Sequence, residues 1–180
     1  MRIIGGKYRG KKLFSPESEN VRPTSDKARE ALFNILRSKL GSDFSCLKLL
    51  DVFCGSGAFA LEAVSQGFSE VCMVDIDTKS AIKNAKLFEN EKANIKIIKA
   101  DARNFVLGPN KYDVLFMDAP YNKGLTEPAL VCASKFLQKN ALCLIELHKD
   151  EVLVLPQNFK LIDERKYGLA KIVIVQHVIE

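Results

Sequence analysis

Residues 49–63 read LLDVFCGSGAFALEA. LKLLDVF (47–53) has the length and apolar continuity of a buried strand, Gly55-Ser56-Gly57 turn the chain, and GAFALEAVSQG (57–67) continues as a helix that Gly67 closes. The same alternation repeats downstream. EVCMVDI (70–76) is a strand followed by a helix over TKSAIKNAKLFEN. NIKIIKA (94–100) and YDVLFMDA (112–119) are strands, and a helix over 125–138 leads to ALCLIEL (141–147). Near-continuous apolar strands separated by helices predict a parallel sheet covered on both faces. The last two runs, FKLIDERKYG (159–168) and AKIVIVQHVI (170–179), are joined only by a tight turn at Gly168. They must be antiparallel, because a parallel crossover needs about a dozen residues. The fold class expected is therefore α/β, a mostly parallel seven-stranded sheet with a C-terminal antiparallel hairpin.

Upstream of this pattern, residues 1–14 alternate and contain Gly5-Gly6 and Gly10, which predicts a short strand or hairpin. SPESENVRPT (15–24) reads as a loop. Ala28, Ala31, Leu32, Ile35, Leu36 and Leu40 then recur at helical spacing, with Thr24 or Ser25 as cap, Asp26 in the first turn and Gly41 as the stop. The expected division is a basic N-terminal extension over 1–24 and a single domain over 25–180.

The 180 residues suffice for one well-buried domain. A content of 47% hydrophobic and 27% charged residues is that of a globular chain. No apolar run approaches the roughly 18 residues that span a bilayer, and MRIIGGKYRGKK has no apolar core of a signal peptide. A cytoplasmic protein without a membrane partner is expected, with a monomer as the default state. Cys46, Cys54, Cys72, Cys132 and Cys143 form no CxxC pair and are read as reduced thiols, three of them inside apolar runs. Only His148 and His177 are available as histidine ligands, so no metal site is expected.

Of the net charge of +5, all the surplus lies early: residues 1–40 hold ten Lys/Arg against four Asp/Glu, and the remaining 140 hold seventeen against eighteen. Arg2, Lys7, Arg9, Lys11 and Lys12 come without an acid among them. Such an excess fits either a polyanionic partner or a solvated basic surface.

The glycine turn carries chemistry as well as topology. Gly55 and Gly57 allow positive φ and let a ligand approach the backbone. Asp75 closes the second strand twenty residues after Gly55, where a carboxylate can accept both hydroxyls of a ribose. An adenosine-type cofactor at the carboxyl ends of the strands is implied. Asp51 precedes Gly55 by four residues, where it repels a pyrophosphate and attracts an ammonium or sulfonium. That favours S-adenosylmethionine over a nicotinamide dinucleotide. Asp101, just past the third strand, either meets the adenine amino group or starts a helix. Cys54 has no base assigned to it and reads as a small loop residue.

Asp118-Ala119-Pro120-Tyr121 leave the end of the fourth strand. A conjugated exocyclic amine is hard to methylate because its lone pair is delocalised into the ring. Accepting both N–H hydrogens, one on a carboxylate and one on a backbone carbonyl, turns that lone pair towards a methyl donor. Asp118 supplies the carboxylate, Ala119 the carbonyl, and Tyr121 a face for a base taken out of its stack. Pro120 restricts Ala119 to extended geometry.

LLDVFCGSGAFALEA, VDID and DAPY, in this order, resemble the Rossmann-like class I methyltransferases that act on exocyclic amines. MRIIGGKYRGKKLFSP and RPTSDKAREALFNIL narrow the resemblance to the RsmD family, guanine-N2 methyltransferases of 16S ribosomal RNA. The resemblance spans nearly the whole chain. It implies methyl transfer to N2 of one guanine in 16S rRNA, in the small subunit or its assembly intermediate. It places the cofactor on Asp51, Gly55, Gly57, Asp75 and Asp101 and the base on Asp118 through Tyr121. Arg22 would lie beside the active site, with Arg2, Lys7, Arg9, Lys11 and Lys12 on RNA phosphates. Ala119 departs from the family pattern, which has proline there.

Among rivals, a methyltransferase acting on adenine N6 of DNA usually carries a target-recognition segment that this chain has no room for. Glutamine methylators favour Asn at position 118. Asp51 and DAPY argue against a nicotinamide oxidoreductase, and an intact Asp118 and Tyr121 against a binding-only module. Asn122, Lys123, His148 and His177 are assigned to the surface.

Overall fold

The computed structural model describes residues 1–15 and 25–178, so the expectation for Arg22 lies outside the described residues. Helix α1 (Asp26–Leu40) begins where Ser25 Oγ accepts the Ala28 amide at 3.2 Å and ends at Gly41. The chain then alternates through β1 (Lys48–Val52), α2 (Ala58–Ser65), β2 (Glu70–Asp75) and α3 (Lys79–Ala85). After these come β3 (Ile95–Lys99), β4 (Tyr112–Asp118), α4 (Thr126–Ser134), β5 (Leu137–His148), β6 (Phe159–Tyr167) and β7 (Ala170–His177). The seven strands form one sheet in the order β3-β2-β1-β4-β5-β7-β6. β1 to β5 pair in parallel, and β7 runs antiparallel between β5 and β6. No helix among the described residues is long and apolar enough to cross a membrane.

Side-chain alternation divides the core between the two faces. Leu49, Met73, Val114, Phe116 and Leu144 pack under α1, α2 and the N-terminal segment. Leu50, Val74, Leu115, Met117 and Ile145 pack on the other side, against α4. The order of strands reverses direction between β1 and β4, so the crossovers diverge there. A crevice opens at the carboxyl ends of these two strands, which is where α/β sheets hold their ligands.

Two helices differ from their sequence expectation. The run expected as one helix after Asp77 breaks: α3 ends at Ala85, and residues 86–94 continue as 3-10 turns with a non-helical Phe88. Phe88 is buried, and its ring meets Tyr8 edge-on at 4.9 Å. The helix expected over 125–138 stops at Ser134, because Leu137 already pairs with Tyr112 and the Tyr112 amide donates to the Phe136 carbonyl at 2.8 Å. Strand pairing overrides the local pattern there.

The N-terminal segment closes on itself through an Arg2–Lys12 antiparallel bridge, with Ile3 and Leu13 in the core beneath α1 and α2. Its attachment is polar. The fully buried Glu62 of α2 accepts the amides of Ile4 and Gly5, each at 2.8 Å, and the Gln66 side chain at 2.7 Å. Gly6, at φ 76°, passes so close to the Ser65 carbonyl that a Cβ would lie 1.8 Å from its oxygen. Only glycine fits there.

Candidate active site

Four strands present carboxylates on one face. Asp51 ends the alternation begun by Leu49, Asp75 that of Met73, Asp118 that of Phe116 and Glu146 that of Leu144. All four line one cleft of about 1430 Å³, large enough for a nucleoside-sized cofactor and a base together.

Asp51 is 1% exposed, and neither of its carboxylate oxygens has a hydrogen-bond partner among the described residues. Burial pushes its pKa well above the carboxylate range and the charges of Asp118 and Asp75 push it further, against the Ala60 amide dipole. A buried acceptor with nothing to accept is costly, and a cation or donor entering the cleft removes that cost. Asp75 is fixed by two amides, Gly55 N at 2.8 Å and Asp77 N at 3.0 Å, with a second lone pair left on each oxygen. These residues fit a cofactor with an ammonium, a sulfonium and a ribose.

Gly55 lines the cleft. Gly57 does not, in contrast to the contact expected of it: at φ 74° it brings α2 onto β2, where a Cβ would meet Met73 Sδ at 2.6 Å. Asp101 lines the cleft but starts no helix. Its carboxylate is gripped by Arg103 through Nη2 at 2.6 Å and Nε at 3.0 Å, and these contacts hold its pKa down at about 2. Next to the glycine turn, Phe53 takes φ 63° and forms part of the wall. A bulky residue in the left-handed region is strained, a condition usual at ligand sites. Cys54 is buried and its thiol pKa is raised, first by that burial, which suits a packing residue.

Asp118, Ala119, Pro120 and Tyr121 all line the same cleft, at the end of the strand that neighbours β1 on the side away from β2. The Tyr121 hydroxyl donates to Glu146 Oε1 at 2.9 Å, and its ring stands edge-on to His148 at 5.7 Å. The surface assignment of both histidines is thereby corrected. His148 is a half-buried cleft residue, and His177 is 4% exposed with Nδ1 3.0 Å from the Gln138 carbonyl. Glu146 escaped the sequence reading, although a signal was there. It is the one charged residue inside ALCLIEL, placed near the strand end as Asp51 and Asp118 are in theirs.

The basic N-terminal residues are not equivalent. Lys7 pairs with Glu91 at 2.8 Å, Lys11 donates to the Leu87 carbonyl at 2.9 Å, and Arg2 lies 3.7 Å from Asp26. Arg9 and Lys12 are exposed and carry no ion pair among the described residues. Met1 lines the cleft, which brings this segment to the site, and so does Lys27 of α1.

Residues 1–176 match the family described as "Conserved hypothetical protein 95". The chain is 33% identical to ribosomal RNA small subunit methyltransferase D of Haemophilus influenzae, over 94% of this chain and 90% of that one. It is 34% identical to the protein of the same name from Escherichia coli K12, over 93% and 85%. Among solved structures, the Escherichia coli protein yhhF superposes with a TM-score of 0.83 at 29% identity, covering 100% of this chain and 99% of that one. SMU.776, complexed with SAH, shares the fold at a TM-score of 0.62 and 16% identity, over 87% of this chain and 50% of that one.

Proposed function

The chain belongs to the family of ribosomal RNA small subunit methyltransferase D, and from that premise we propose that it methylates the exocyclic N2 of one guanine in 16S rRNA. Membership makes it a methyltransferase of ribosomal RNA, and S-adenosylmethionine is the methyl donor that Asp51 and Asp75 fit. It acts on the small subunit or its assembly intermediate, as a monomer, with residues 25–180 as the methyltransferase domain and 1–24 as a basic extension that meets RNA.

The observation that carries this reading is the cleft itself. An orphaned carboxylate and a ribose-type Asp stand on β1 and β2, beside a carboxylate, a carbonyl and an aromatic ring that leave the neighbouring β4 into the same cleft. Asp51, Gly55, Asp75 and Asp101 hold the cofactor, which when bound supplies an electrophilic methyl on a sulfonium. Asp118 accepts one N2–H and the Ala119 carbonyl the other, so the nitrogen lone pair turns out of the ring plane towards the methyl. Asp118 is also the acceptor for the proton that the nitrogen must lose. Tyr121 stacks on the extruded base, and Pro120 keeps Ala119 extended. Positioning in line with the donor supplies most of the acceleration.

The test is methyl transfer from labelled S-adenosylmethionine to small subunits that lack the modification, with naked 16S rRNA alongside, followed by digestion and nucleoside analysis. Label in N2-methylguanosine at one site is the expected result. Label in N6-methyladenosine would overturn the choice of base.

A further inference from the structure

Glu146 is a direct register partner of Asp118 on the neighbouring parallel strand, and the two backbones lie about 4.8 Å apart. Their side chains leave the same face, because Phe116 and Leu144, one repeat earlier, share one core cluster while Met117 and Ile145 belong to the other. β4 and β5 are buried almost throughout their paired ends, yet each opens into the cleft with a half-buried carboxylate at this level. The base site therefore has two carboxylates side by side, where the methylation described above calls for one carboxylate and the Ala119 carbonyl.

We propose that Glu146 is a specificity-determining residue that selects guanine, by accepting the N1–H next to the N2–H taken by Asp118. The proposal rests on the reading of the cleft as a guanine-N2 site. On its Watson–Crick edge guanine presents two adjacent donors, N1–H and N2–H. Adenine presents one donor group next to the bare acceptor N1, which a second carboxylate repels. A paired-carboxylate wall thus attracts one purine and penalises the other. The Tyr121 hydroxyl donates to Glu146 Oε1, so the stacking ring and the second acceptor are fixed relative to each other. A base stacked on that ring meets Glu146 with its edge.

The test uses small subunits reconstituted with 16S rRNA carrying guanine or 2-aminopurine at the methylated position. 2-Aminopurine keeps the exocyclic amine but offers an acceptor at N1. The wild-type enzyme is expected to favour guanine in kcat/KM by on the order of tenfold to a hundredfold. Glu146→Gln keeps an acceptor for the Tyr121 hydroxyl and adds a donor. It is expected to lower kcat/KM for guanine and to shrink the guanine preference by about tenfold. Cofactor affinity, measured by titration calorimetry, should stay within about twofold, because Glu146 lies on the base side of the cleft. A residue that only supports Tyr121 would slow both substrates alike, so an unchanged preference in Glu146→Gln overturns the proposal. So does a wild-type enzyme that uses 2-aminopurine as well as guanine, a result that needs no variant to fold. Those outcomes leave N2-methylguanosine formation standing, whereas its absence from guanine subunits would remove the underlying reading and this proposal with it.

Discussion

Asp51 sits on a central strand between Met73 and Phe116, its carboxyl sealed from solvent and joined by no hydrogen bond among the described residues. Its folded-state pKa is raised, so the folded chain favours the protonated form. The stability this contributes is present below the ordinary carboxylate pKa of about 3.9 and is lost as pH rises towards the folded value. Asp51→Asn does not titrate. The cofactor-free variant should therefore melt higher than wild type at neutral pH, and the difference should vanish at acid pH. A bound cation favours the ionised carboxylate, so wild-type cofactor affinity should fall as pH drops through the raised pKa. In Asp51→Asn that dependence should disappear, with affinity at neutral pH weaker by on the order of tenfold to a hundredfold. Calorimetric titration at several pH values checks both statements, and unchanged affinity would take Asp51 out of the site. Gly57 is different in kind: Gly57→Ala combines positive φ with the contact on Met73 Sδ and should cost about 1–3 kcal/mol in urea unfolding. Its place in a glycine turn was legible from the sequence. Whether it met the cofactor or the next strand was not, because that depends on which way the loop rolls over β2.

At the scale of elements, the strands were the most legible part, since parallel strands buried on both faces read as continuous apolar runs. What stayed hidden depended on contacts distant in sequence. The break at Phe88 comes from its burial beneath Tyr8, and the early end of α4 from pairing of Leu137 with Tyr112. Glu62 looked like an ordinary helical residue in AFALEAVS, yet it is the buried acceptor that fixes the N-terminal segment through two amides and Gln66. Glu62→Ala leaves these donors unpaired and should destabilise the protein by about 2–3 kcal/mol. Hydrogen exchange should show the amides of Ile4 and Gly5 losing protection first. If their protection survives, the attachment is apolar, through Ile3 and Leu13, and Glu62 is secondary.

For the whole molecule, the basic surplus of the first forty residues was plain from counting, but counting does not show which cations are already engaged. Lys7 and Lys11 are tied to Glu91 and Leu87, which leaves Arg9 and Lys12 better placed to meet phosphates. Replacing Arg9 and Lys12 together by alanine should weaken RNA binding and lower its salt slope by roughly 1 for each phosphate that is no longer neutralised. Replacing Lys7 should change the slope less. Equal effects would mean that the Lys7–Glu91 pair opens on binding.

The proposed function turns on the division of the cleft into a cofactor half on β1 and β2 and a base half on β4, and Asp118→Ala separates the two halves. S-adenosylmethionine affinity and methyl transfer to small subunits are measured on the same preparation. Transfer should fall at least about a thousandfold, with cofactor affinity within about threefold of wild type. An equal fall in transfer and affinity would contradict the division, because Asp118 would then belong to the cofactor.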